Sequence, residues 1–429
     1  MTASSSSIPR APLRPLDDAL AELLAHAAAL GETETVSTFD ADGRVLAQDL
    51  VSQLQVPPQD NSAMDGYAVR CREIADEGVV LPISQRIPAG TGAQPLVPGS
   101  AARIFTGAPV PPGADAIVMQ EDCEPVGEQA VRIRRVPDAG QWIRRAGEDV
   151  REGAVILARG ERLTAASCGV AAGIGMDSLI VSRRPRVALF STGDELVMPG
   201  EVPPGQMKPG AIYNSNRFFL SALLRRLECE VSDYGIIPDR RDATQKALQH
   251  AAREHDLILT SGGVSVGEED HVRPAVQALG TLDLWQIAIK PGKPFAYGSV
   301  ARDATRQAGG ASAAASPCHF IGLPGNPVSS FVTFLLLVRP FLLKLQGAAR
   351  VAPHAVQLTA HFDWPRADKR REFLRVRHGK NGGLELFPNQ SSGVLTSATW
   401  ADGLVDNPAG RTIAHGDSVA FIALSELLA

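Results

Sequence analysis

From residue 183 to residue 347 the sequence alternates short apolar runs with helix-patterned segments, and this alternation limits the fold more than any other feature. Residues 187–190 and 257–260 are typical of buried strands, whereas residues 242–255 repeat apolar side chains at helical spacing. Strands and helices that alternate in this way predict a doubly wound, largely parallel α/β domain. The same reasoning predicts strands at 231–237, 284–289 and 320–323, and helices near 214–227, at 274–279 and from Val328.

The segments on either side of this domain are predicted to be β-rich. A helix begins at Asp17 and Asp18 and is expected to end at Gly31. Strands are then predicted at 44–54, 116–120, 131–136 and 154–157, and again at 356–362, 372–376, 384–387 and 417–424. The fold class is therefore multidomain, α/β plus β, with an N-terminal β-rich region and a small β-barrel-like domain at the C-terminus.

The expected division of the chain has five parts. They are a tail at 1–13, a helix-and-β domain at 14–52 and 146–182, an inserted β-rich domain at 53–145, the α/β domain at 183–347 and the C-terminal domain at 348–429. Residues 299–318 are rich in Ala, Gly and Ser without apolar periodicity, so we expect a mobile insertion with no catalytic role.

Charge and cysteine content exclude several classes of protein. Asp and Glu number 47 against 42 Lys and Arg, a formal charge of −5, so the chain lacks the basic field of a nonspecific nucleic-acid binder. Its five cysteines form no CxxC pair and are expected to be reduced thiols of a cytoplasmic protein. The N-terminus lacks the apolar segment of a signal peptide, and the longest apolar run, 331–338, ends at Arg339 and is too short for a membrane span.

The residues that follow the predicted strands are the first candidates for a site, because ligands of an open α/β sheet bind beyond the carboxyl ends of its strands. Glycines there allow backbone N–H groups to approach an anion, and a following helix points its positive end at the same place. The candidates are Asp194, Glu195, Asp239, Ser261, Gly262, Gly263, Glu268, Glu269, Asp270, Lys290, Lys293, Pro324, Gly325, Asn326 and Pro327.

Each of these pieces also has a structural interpretation. Ser-Gly-Gly and Pro-Gly-Asn-Pro form ordinary turns in many proteins, Asp194 and Asp239 could cap helices, and the charged residues could be solvated. Their combination at one edge favours a ligand. Carboxylates beside a phosphate require a divalent cation, and Mg²⁺ prefers carboxylate, water and phosphate oxygens. We infer a Mg²⁺-assisted reaction on a phosphorylated substrate; no Walker A, GxGxxG, GxSxG or HExxH motif is present.

A second cluster of polar residues lies in the N-terminal half. Residues 57–68 carry Asp60, Asn61, Ser62 and Asp65 beside proline and glycine, which predicts a shaped loop or, alternatively, a simple Asx turn. Segments 103–111 and 145–149 also place polar groups beside glycine or proline, although each signal is weak alone.

Together these motifs resemble those of the MoeA family of molybdopterin molybdenumtransferases, to which the gephyrin E domain is related. The resemblance extends from about Arg14 to Leu428. It rests on Asp60-Asn61-Ser62-Ala63-Met64-Asp65-Gly66-Tyr67-Ala68, Phe105-Thr106-Gly107-Ala108, Ser191-Thr192-Gly193-Asp194-Glu195-Leu196, Tyr213-Asn214-Ser215-Asn216, Thr260-Ser261-Gly262-Gly263-Val264-Ser265-Val266-Gly267, Ile289-Lys290-Pro291-Gly292-Lys293-Pro294 and Gly322-Leu323-Pro324-Gly325-Asn326-Pro327-Val328.

The resemblance implies a reaction in which adenylated molybdopterin and molybdate give molybdenum cofactor and AMP with Mg²⁺. It also implies an elongated homodimer whose site lies between the N-terminal β region of one subunit and the α/β domain of the other. The family roles carry over to acidic and polar site residues, with Glu195, Asp239 and Asp270 as candidate Mg²⁺ ligands, and to substrate-binding residues beside them. The first set is Asp65, Thr106, Asp149, Glu195, Asp239 and Asp270; the second is Asn61, Ser62, Ser261, Gly262, Gly263, Lys290, Lys293, Pro324, Gly325, Asn326 and Pro327.

Two departures from the family pattern are expected to matter. The insertion at 299–318 lengthens a connection that we expect close to the site, and Gln286 stands where some relatives have lysine. Two other functions stay open: adenylyl transfer onto molybdopterin, which would not explain the N-terminal β region, and a non-catalytic molybdopterin carrier or scaffold. Partners expected from the resemblance are the adenylyltransferase and the molybdoenzymes of the same pathway, and tungstate is an alternative to molybdate.

Overall fold

The structure is a computed structural model that describes residues 13–238, 240–263, 271–302 and 317–428. Its first part, up to residue 182, is mainly β. The elements are α1 (Leu16–His26), β1 (Thr33–Ser37), β2 (Leu50–Val51), β3 (Asn61–Ser62), β4 (Gly66–Val69), β5 (Val80–Ile87), β6 (Ala101–Ile104), β7 (Ala116–Met119), β8 (Cys123–Val126), β9 (Ala130–Ile133), β10 (Ile143–Arg144), β11 (Val155–Leu157), α2 (Ala165–Gly173) and β12 (Ser178–Ser182).

Strand pairing divides this region into two packed units. β1 pairs with β12 and β2 with β11, so residues 33–51 lie beside residues 155–182. Between them, a six-stranded sheet in the order β7-β4-β6-β5-β9-β8 has its own buried core. The sequence missed β5, and only Leu50–Val51 of the strand predicted at 44–54 is a regular strand, with Val45 and Leu46 forming single bridges.

The first helix is shorter than the sequence predicts. It ends at His26, five residues before the predicted end at Gly31, and Ala27 already has an extended backbone. Two contacts with the distant end of the α/β domain explain this: Lys344 Nζ donates to Leu24 O at 2.7 Å, and Leu30 N donates to Leu345 O at 2.9 Å. The chain therefore leaves the helix to pair with residues that are remote in sequence.

The central part of the chain forms the predicted α/β domain. Its elements are β13 (Arg186–Thr192), β14 (Leu196–Val197), β15 (Ile212–Tyr213), α3 (Asn216–Arg226), β16 (Glu230–Ile237), α4 (Arg241–Glu254), β17 (Leu257–Ser261), α5 (Val272–Leu279), β18 (Gly280–Gln286), β19 (Ile289–Lys290), β20 (Pro294–Val300), β21 (Cys318–Leu323), α6 (Pro327–Thr333) and α7 (Arg339–Leu345), with a π-helical turn at Phe334–Val338.

The strand order β16-β13-β17-β21-β20-β18 confirms a doubly wound, largely parallel sheet. β16, β13, β17 and β21 are parallel, whereas β20 runs antiparallel to both β21 and β18. Along β13, Val187 and Leu189 pack in the cluster that contains α3 and α6, while Ala188 and Phe190 pack in the cluster with α4 and α5. Because β16 and β17 lie on opposite sides of β13, the topological switch point lies between β13 and β17.

One helix in the described ranges, Pro327–Leu345, is long and apolar enough to cross a membrane, with a mean hydropathy of 1.8. However, 94% of that window is buried inside the fold, which is typical of a core helix. The apolar run 331–338 does end at Arg339, but the helix does not end with it. Arg339 is only 6% exposed and donates to Val351 O and Glu426 O, so the helix continues past it.

The C-terminal part is a small β domain with β22 (Val356–Thr359), β23 (Arg371–His378), β24 (Leu384–Leu386), α8 (Thr396–Trp400), β25 (Gly403–Asn407), β26 (Ser418–Ala423) and α9 (Leu424–Leu428). The order β22-β26-β25-β23-β24 is joined back to the end of β22 by a bridge between Ala360 and Leu384. This closure confirms the barrel-like prediction. β19 of the α/β domain pairs with β23, so the two domains share one sheet.

Candidate functional site

The parallel strands of the α/β domain end together at one edge, as predicted. Thr192 lies opposite Ile237, and Ser191 lies opposite Ser261, which in turn lies opposite Leu323. The turns that follow β13, β17 and β21 therefore meet at the switch point. We call them the strand-end rim, defined by residues 191–195, 261–263 and 324–327.

A buried asparagine joins two of these turns. Asn216, 8% exposed at the start of α3, donates from Nδ2 to Ser261 Oγ and to Gly325 O, both at 2.8 Å. The side chain thus fixes the Ser-Gly-Gly turn against the Pro-Gly-Asn-Pro turn. The sequence singled out the motif that contains Asn216 but did not assign it to the site.

Two glycines of the rim cannot be replaced without a clash. A Cβ at Gly262, whose φ is +90°, would lie 2.7 Å from Thr192 O, and one at Gly263, φ +69°, would lie 2.5 Å from the Val272 side chain. Both φ values belong to the region that favours glycine. Glycine here lets the two backbones approach closely, as the sequence predicts for an anion-binding turn.

Several buried polar groups at this edge have no hydrogen-bond partner among the described residues. They include Ser191 Oγ and Thr192 Oγ1 at the end of β13 and Asn214 Nδ2 just before α3. Ser191 is 1% exposed. Buried polar groups are nearly always hydrogen-bonded, so these atoms mark a place where a ligand or a further part of the chain supplies partners.

The predicted carboxylates are only partly described. Asp194 and Glu195 are exposed at the rim. Asp239 and Asp270, with Glu268 and Glu269, lie outside the described residues. In the ranges that the structure covers, no three His, Cys, Asp or Glu side chains gather as a metal site. The Mg²⁺ set of Glu195, Asp239 and Asp270 therefore stays a prediction.

The two lysines of the Lys-Pro-Gly-Lys turn differ. Lys290 is not a free cation, because its Nζ lies 3.0 Å from Glu372 Oε1 and 3.5 Å from Asp368 Oδ2 of the C-terminal domain. Glu372 is 1% exposed and also accepts from Trp364 Nε1 at 2.7 Å. Lys293 forms no ion pair with any described residue. The turn reaches the strand-end rim because Gln286 and Pro294 pair at that edge.

The end of the Pro-Gly-Asn-Pro turn contacts the C-terminal domain. Gly325 and Asn326 are exposed, but Val328 N donates to Ser392 O at 2.9 Å, and Pro327 at the helix start has no N–H. Arg375, 1% exposed, holds this contacting segment through Ser391 O at 3.5 Å and Ser397 Oγ at 3.2 Å. Burial lowers the pKa of Arg375 to about 10. The sequence did not reveal this contribution, because it depends on contacts between domains.

The N-terminal cluster is also assembled. Asp65 Oδ1 accepts from Thr106 N at 2.8 Å and from Thr106 Oγ1 at 2.9 Å, and these hydrogen bonds lower the pKa of Asp65. Ser62 O accepts from Gly107 N, while Asn61 Oδ1 is buried without a partner among described residues.

Asp149 belongs to the same unit through its neighbours. Arg145 Nη1 lies 2.6 Å from Asp60 Oδ2, and Ala146 N donates to Asp60 Oδ1 at 2.9 Å. These bonds to Asp60, with Asp149 N donating to Val56 O, attach the 145–149 segment to the loop that carries Asp65. The Asp149 carboxylate itself is exposed.

A stack of rings and guanidinium groups borders Asp65 and was not predicted. Arg103 lies 4.6 Å and Arg86 4.9 Å from the centre of the Phe105 ring, and Arg103 also lies over Tyr67 at 5.1 Å. Arg103 further donates to Gly66 O. Its positive charge contributes to the low pKa of Asp65, after the two Thr106 hydrogen bonds.

The two groups of predicted site residues remain separate in this single chain. In the described ranges, no hydrogen bond or ion pair connects the Asp65–Thr106 cluster with the strand-end rim. Each group is pre-assembled, yet neither holds every residue that the sequence assigns to the site.

Comparisons with known proteins agree with this architecture. Residues 14–175 match the "MoeA N-terminal region (domain I and II)", residues 188–344 the "Probable molybdopterin binding domain" and residues 357–424 the "MoeA C-terminal region (domain IV)". The chain is 40% identical over 333 residues to a molybdopterin molybdenumtransferase of Haemophilus influenzae, covering 77% of this chain and 78% of that protein. A namesake from Nostoc sp. is 36% identical over 92% of this chain and 89% of its own length.

A solved structure gives the same picture. The molybdopterin biosynthesis MoeA protein from Pyrococcus horikoshii OT3 superposes with a TM-score of 0.79 at 28% identity, covering 96% of this chain and all of that one. The match extends over all of the parts described above, including the barrel-like C-terminal domain.

Proposed function

The chain belongs to the MoeA family of molybdopterin molybdenumtransferases, and on this premise we propose that it inserts molybdate into adenylated molybdopterin and releases AMP. The observation that carries the proposal is the strand-end rim, where Asn216 ties two glycine-containing, phosphate-suited turns together at the switch point. Such turns present backbone N–H groups to phosphate oxygens. The enzyme takes part in molybdenum cofactor biosynthesis.

The residues of the chain bind and orient the reactants in this proposal. Lys293 and the Ser261–Gly263 turn bind the negatively charged groups of the reactants, and Glu195 faces the same edge of the sheet. Lys290 acts mainly through its ion pair with Glu372, which fixes the turn against the C-terminal domain. No covalent nucleophile is required, because positioning and charge stabilisation supply the main effects in phosphoryl-type transfers.

Mg²⁺ fits the type of donor that the sequence provides. Glu195, Asp239 and Asp270 would hold it through carboxylate oxygens, the ligands that this hard cation prefers. Glu195 is exposed at the rim, and β16 ends at Ile237, two residues before Asp239. When bound, the cation would neutralise the phosphates beside these carboxylates. The test is to remove divalent cations with EDTA and then to add Mg²⁺. Activity should be lost with EDTA and restored by Mg²⁺, and Glu195→Gln should require more Mg²⁺ than wild type.

A homodimer completes the site in this proposal. Asp65 and Thr106 of one subunit would face the strand-end rim of the other, which accounts for the absence of a bond between the two groups in the described part of one chain. Phe39, 98% exposed on a short helical turn, belongs to the aromatic residue types that are enriched at interfaces. The division into domains at 14–52 with 146–182, 53–145, 183–347 and 348–429 is proposed from the same strand pairing.

We also propose that the protein is cytoplasmic. All five cysteines are free thiols, which suits a reducing cytoplasm. We also propose, from the family, that the adenylyltransferase supplies the substrate and that molybdoenzymes receive the product.

The decisive experiment measures AMP released from adenylated molybdopterin with Mg²⁺ and micromolar molybdate, together with reconstitution of a cofactor-free molybdoenzyme. Both signals are expected and both should require molybdate. Bound pterin without AMP would instead support a carrier or scaffold, and consumption of ATP would support an adenylyltransferase. Repeating the assay with tungstate tests the choice of metal oxyanion.

A further inference from the structure

A cavity that lies away from the strand-end rim plays no part in the proposed reaction. It has a volume of about 650 Å³ and lies where the N-terminal region, the core helix and the segment after it meet. We call it the arginine cavity, after Arg159, Arg162, Arg339 and Arg350, which line it. Arg339 follows Pro327 by 12 residues in the same helix, about 18 Å along its axis.

Two of these arginines are buried or partly buried without a carboxylate bonded to them. Arg339, 6% exposed, donates to Val351 O and Glu426 O at 3.0 Å each, and its Nε has no partner among the described residues. Arg162 donates to Gly43 O at 3.1 Å and Arg226 O at 3.0 Å. Within the described ranges, neither forms an ion pair. A buried charge is costly unless it is paired, so this arrangement calls for an explanation.

The two guanidinium groups also act on each other. Burial is the main cause that lowers the pKa of both Arg339 and Arg162. The charge of Arg162 lowers the pKa of Arg339 further, whereas Glu426 raises it. Like charges facing one cavity are relieved by an anion placed between them.

The carboxylates that line the cavity do not neutralise these guanidinium charges completely. Glu426 pairs with Arg350 at 3.3 Å and accepts from His354 N, and Glu161 accepts from Ser167 Oγ at 3.2 Å. Glu228 and then Asp42 raise the pKa of Arg162, but neither accepts a hydrogen bond from it, and Glu228 is paired with Arg184 at 2.6 Å. Arg159 at the mouth is exposed and has no ion pair with a described residue. Four guanidinium groups and three carboxylates thus line the cavity, and two of the carboxylates, Glu161 and Glu426, already accept hydrogen bonds from other residues.

We propose that the arginine cavity binds a small phosphate-bearing anion, either free phosphate or a phosphate monoester. Guanidinium groups match the geometry of a tetrahedral oxyanion with paired N–H donors. The volume lies in the range of small-molecule sites and leaves room for more than one phosphate group. An anion held there would connect the N-terminal region with the core helix and would stabilise their arrangement.

The test uses the full chain and does not depend on its catalytic activity. Inorganic phosphate and AMP are titrated separately by isothermal calorimetry and by thermal unfolding, with chloride at matched ionic strength as the reference. Phosphate or AMP is expected to raise the melting temperature above the chloride reference. Because AMP is also the product of the proposed reaction, only the part of its affinity that Arg159→Gln with Arg350→Gln removes is assigned to the cavity. A larger loss for AMP than for phosphate identifies a monoester as the ligand, and an equal loss identifies the phosphate group alone. An unchanged melting temperature with both anions overturns the proposal.

Variants locate the binding. Arg159→Gln with Arg350→Gln removes the two exposed guanidinium groups and should weaken binding at least about fivefold without unfolding the protein. The matched control is Arg132→Gln with Arg134→Gln, two exposed arginines that lie beside Glu124 in the N-terminal region. If the control weakens binding as much as the cavity variant, the anion binds elsewhere and the proposal is wrong.

The buried pair gives a second, direct readout. Crystals with selenate, a tetrahedral anion with an anomalous signal, should show a peak between Arg162 and Arg339. Arg339→Gln should abolish the peak if the variant folds. A peak at other arginines only would contradict the assignment, even where calorimetry detects binding.

Discussion

The Nδ2 atom of Asn216 lies 2.8 Å from Ser261 Oγ, across 45 residues of sequence, and the same nitrogen donates to Gly325 O. One buried amide therefore connects the ends of β17 and β21 with the start of α3. Both turns contain residues expected to meet the substrate, so their relative position depends on this side chain.

Asn216→Leu should remove both hydrogen bonds and leave the Gly325 carbonyl and the Ser261 hydroxyl without this donor. We expect AMP release to fall about 100-fold and the free energy of unfolding to fall by about 2 kcal/mol. Asn381→Leu changes an exposed asparagine in the same way and should alter neither. Nearly normal AMP release by Asn216→Leu would show that the two turns hold their positions without it.

Asp65→Asn keeps an acceptor for the Thr106 N–H and hydroxyl but removes the negative charge. Because the protein would keep its fold, the melting temperature should stay near that of wild type while AMP release falls about 100-fold or more. Thr106→Val, which loses only the hydroxyl donor, should have a smaller effect. Steady-state AMP assays and thermal unfolding of both variants check the difference, and full activity of Asp65→Asn would remove Asp65 from the site.

Mixed dimers test whether two subunits share one site. At the Mg²⁺ concentration that just saturates wild type, Asp65→Asn and Glu195→Gln protomers are each expected to have little activity, but their mixture should recover up to about a quarter of wild-type activity through heterodimers with one intact site. The recovery is measured after the subunits have been unfolded and refolded together. If each site lies within a single chain, the mixture stays as inactive as its components.

Lys290→Met leaves Glu372, which is 1% exposed, without its ammonium partner. We expect the free energy of unfolding to fall by about 2 kcal/mol, a value that allows for the 38% exposure of the lysine side chain. Adding Glu372→Gln should restore part of this loss, because the uncompensated charge is gone. Urea unfolding of both variants measures it, and equal stability of Lys290→Met and wild type would show that the pair contributes nothing.

The pH dependence of stability should report on His319, which faces Tyr297, His26, Asp256 and Arg302 in the cavity at the amino ends of the strands. Burial, helped by the charge of His26, lowers the pKa of His319 to about 4. The unfolded chain, with an ordinary histidine pKa near 6.5, takes up the proton first as the pH falls. The free energy of unfolding is therefore unaffected by His319 above about pH 6.5 and decreases as the pH falls towards 4.

The loss from His319 should reach about 2 kcal/mol at pH 5 in urea unfolding. His319→Gln, which can still accept from the Tyr297 hydroxyl, should show a shallower decline between pH 7 and pH 5. Parallel curves for the two proteins would mean that His319 takes up its proton as readily in the folded protein as in the unfolded chain.

Periodicity and turn residues were enough to predict the α/β domain. The strand at 187–190 is part of β13 and the helix at 242–255 is close to α4, because apolar spacing reports directly on which face is buried. The rim also followed from the sequence, since strand ends and glycine turns can be located along the chain. Contacts between distant segments could not be predicted: Lys290 pairs with Glu372 82 residues later, and Leu30, four residues after the end of α1, donates to Leu345 O.

The insertion at 299–318 shows a different kind of error. It was expected close to the site, yet Val300 pairs with Cys318, which places the connection at the amino end of β21, opposite the strand-end rim. Residues 303–316 lie outside the described ranges. The mistake arose because a loop between two strands can leave either edge of a sheet, and only the antiparallel direction of β20 decides which.

That antiparallel hairpin should allow residues to be inserted or removed in the connection between Val300 and Cys318. Its two ends, Val300 and Cys318, are held side by side by the ladder itself, so they impose no particular length on what joins them. A fluorescent reporter or an affinity handle spliced between them would emerge on the side remote from the rim.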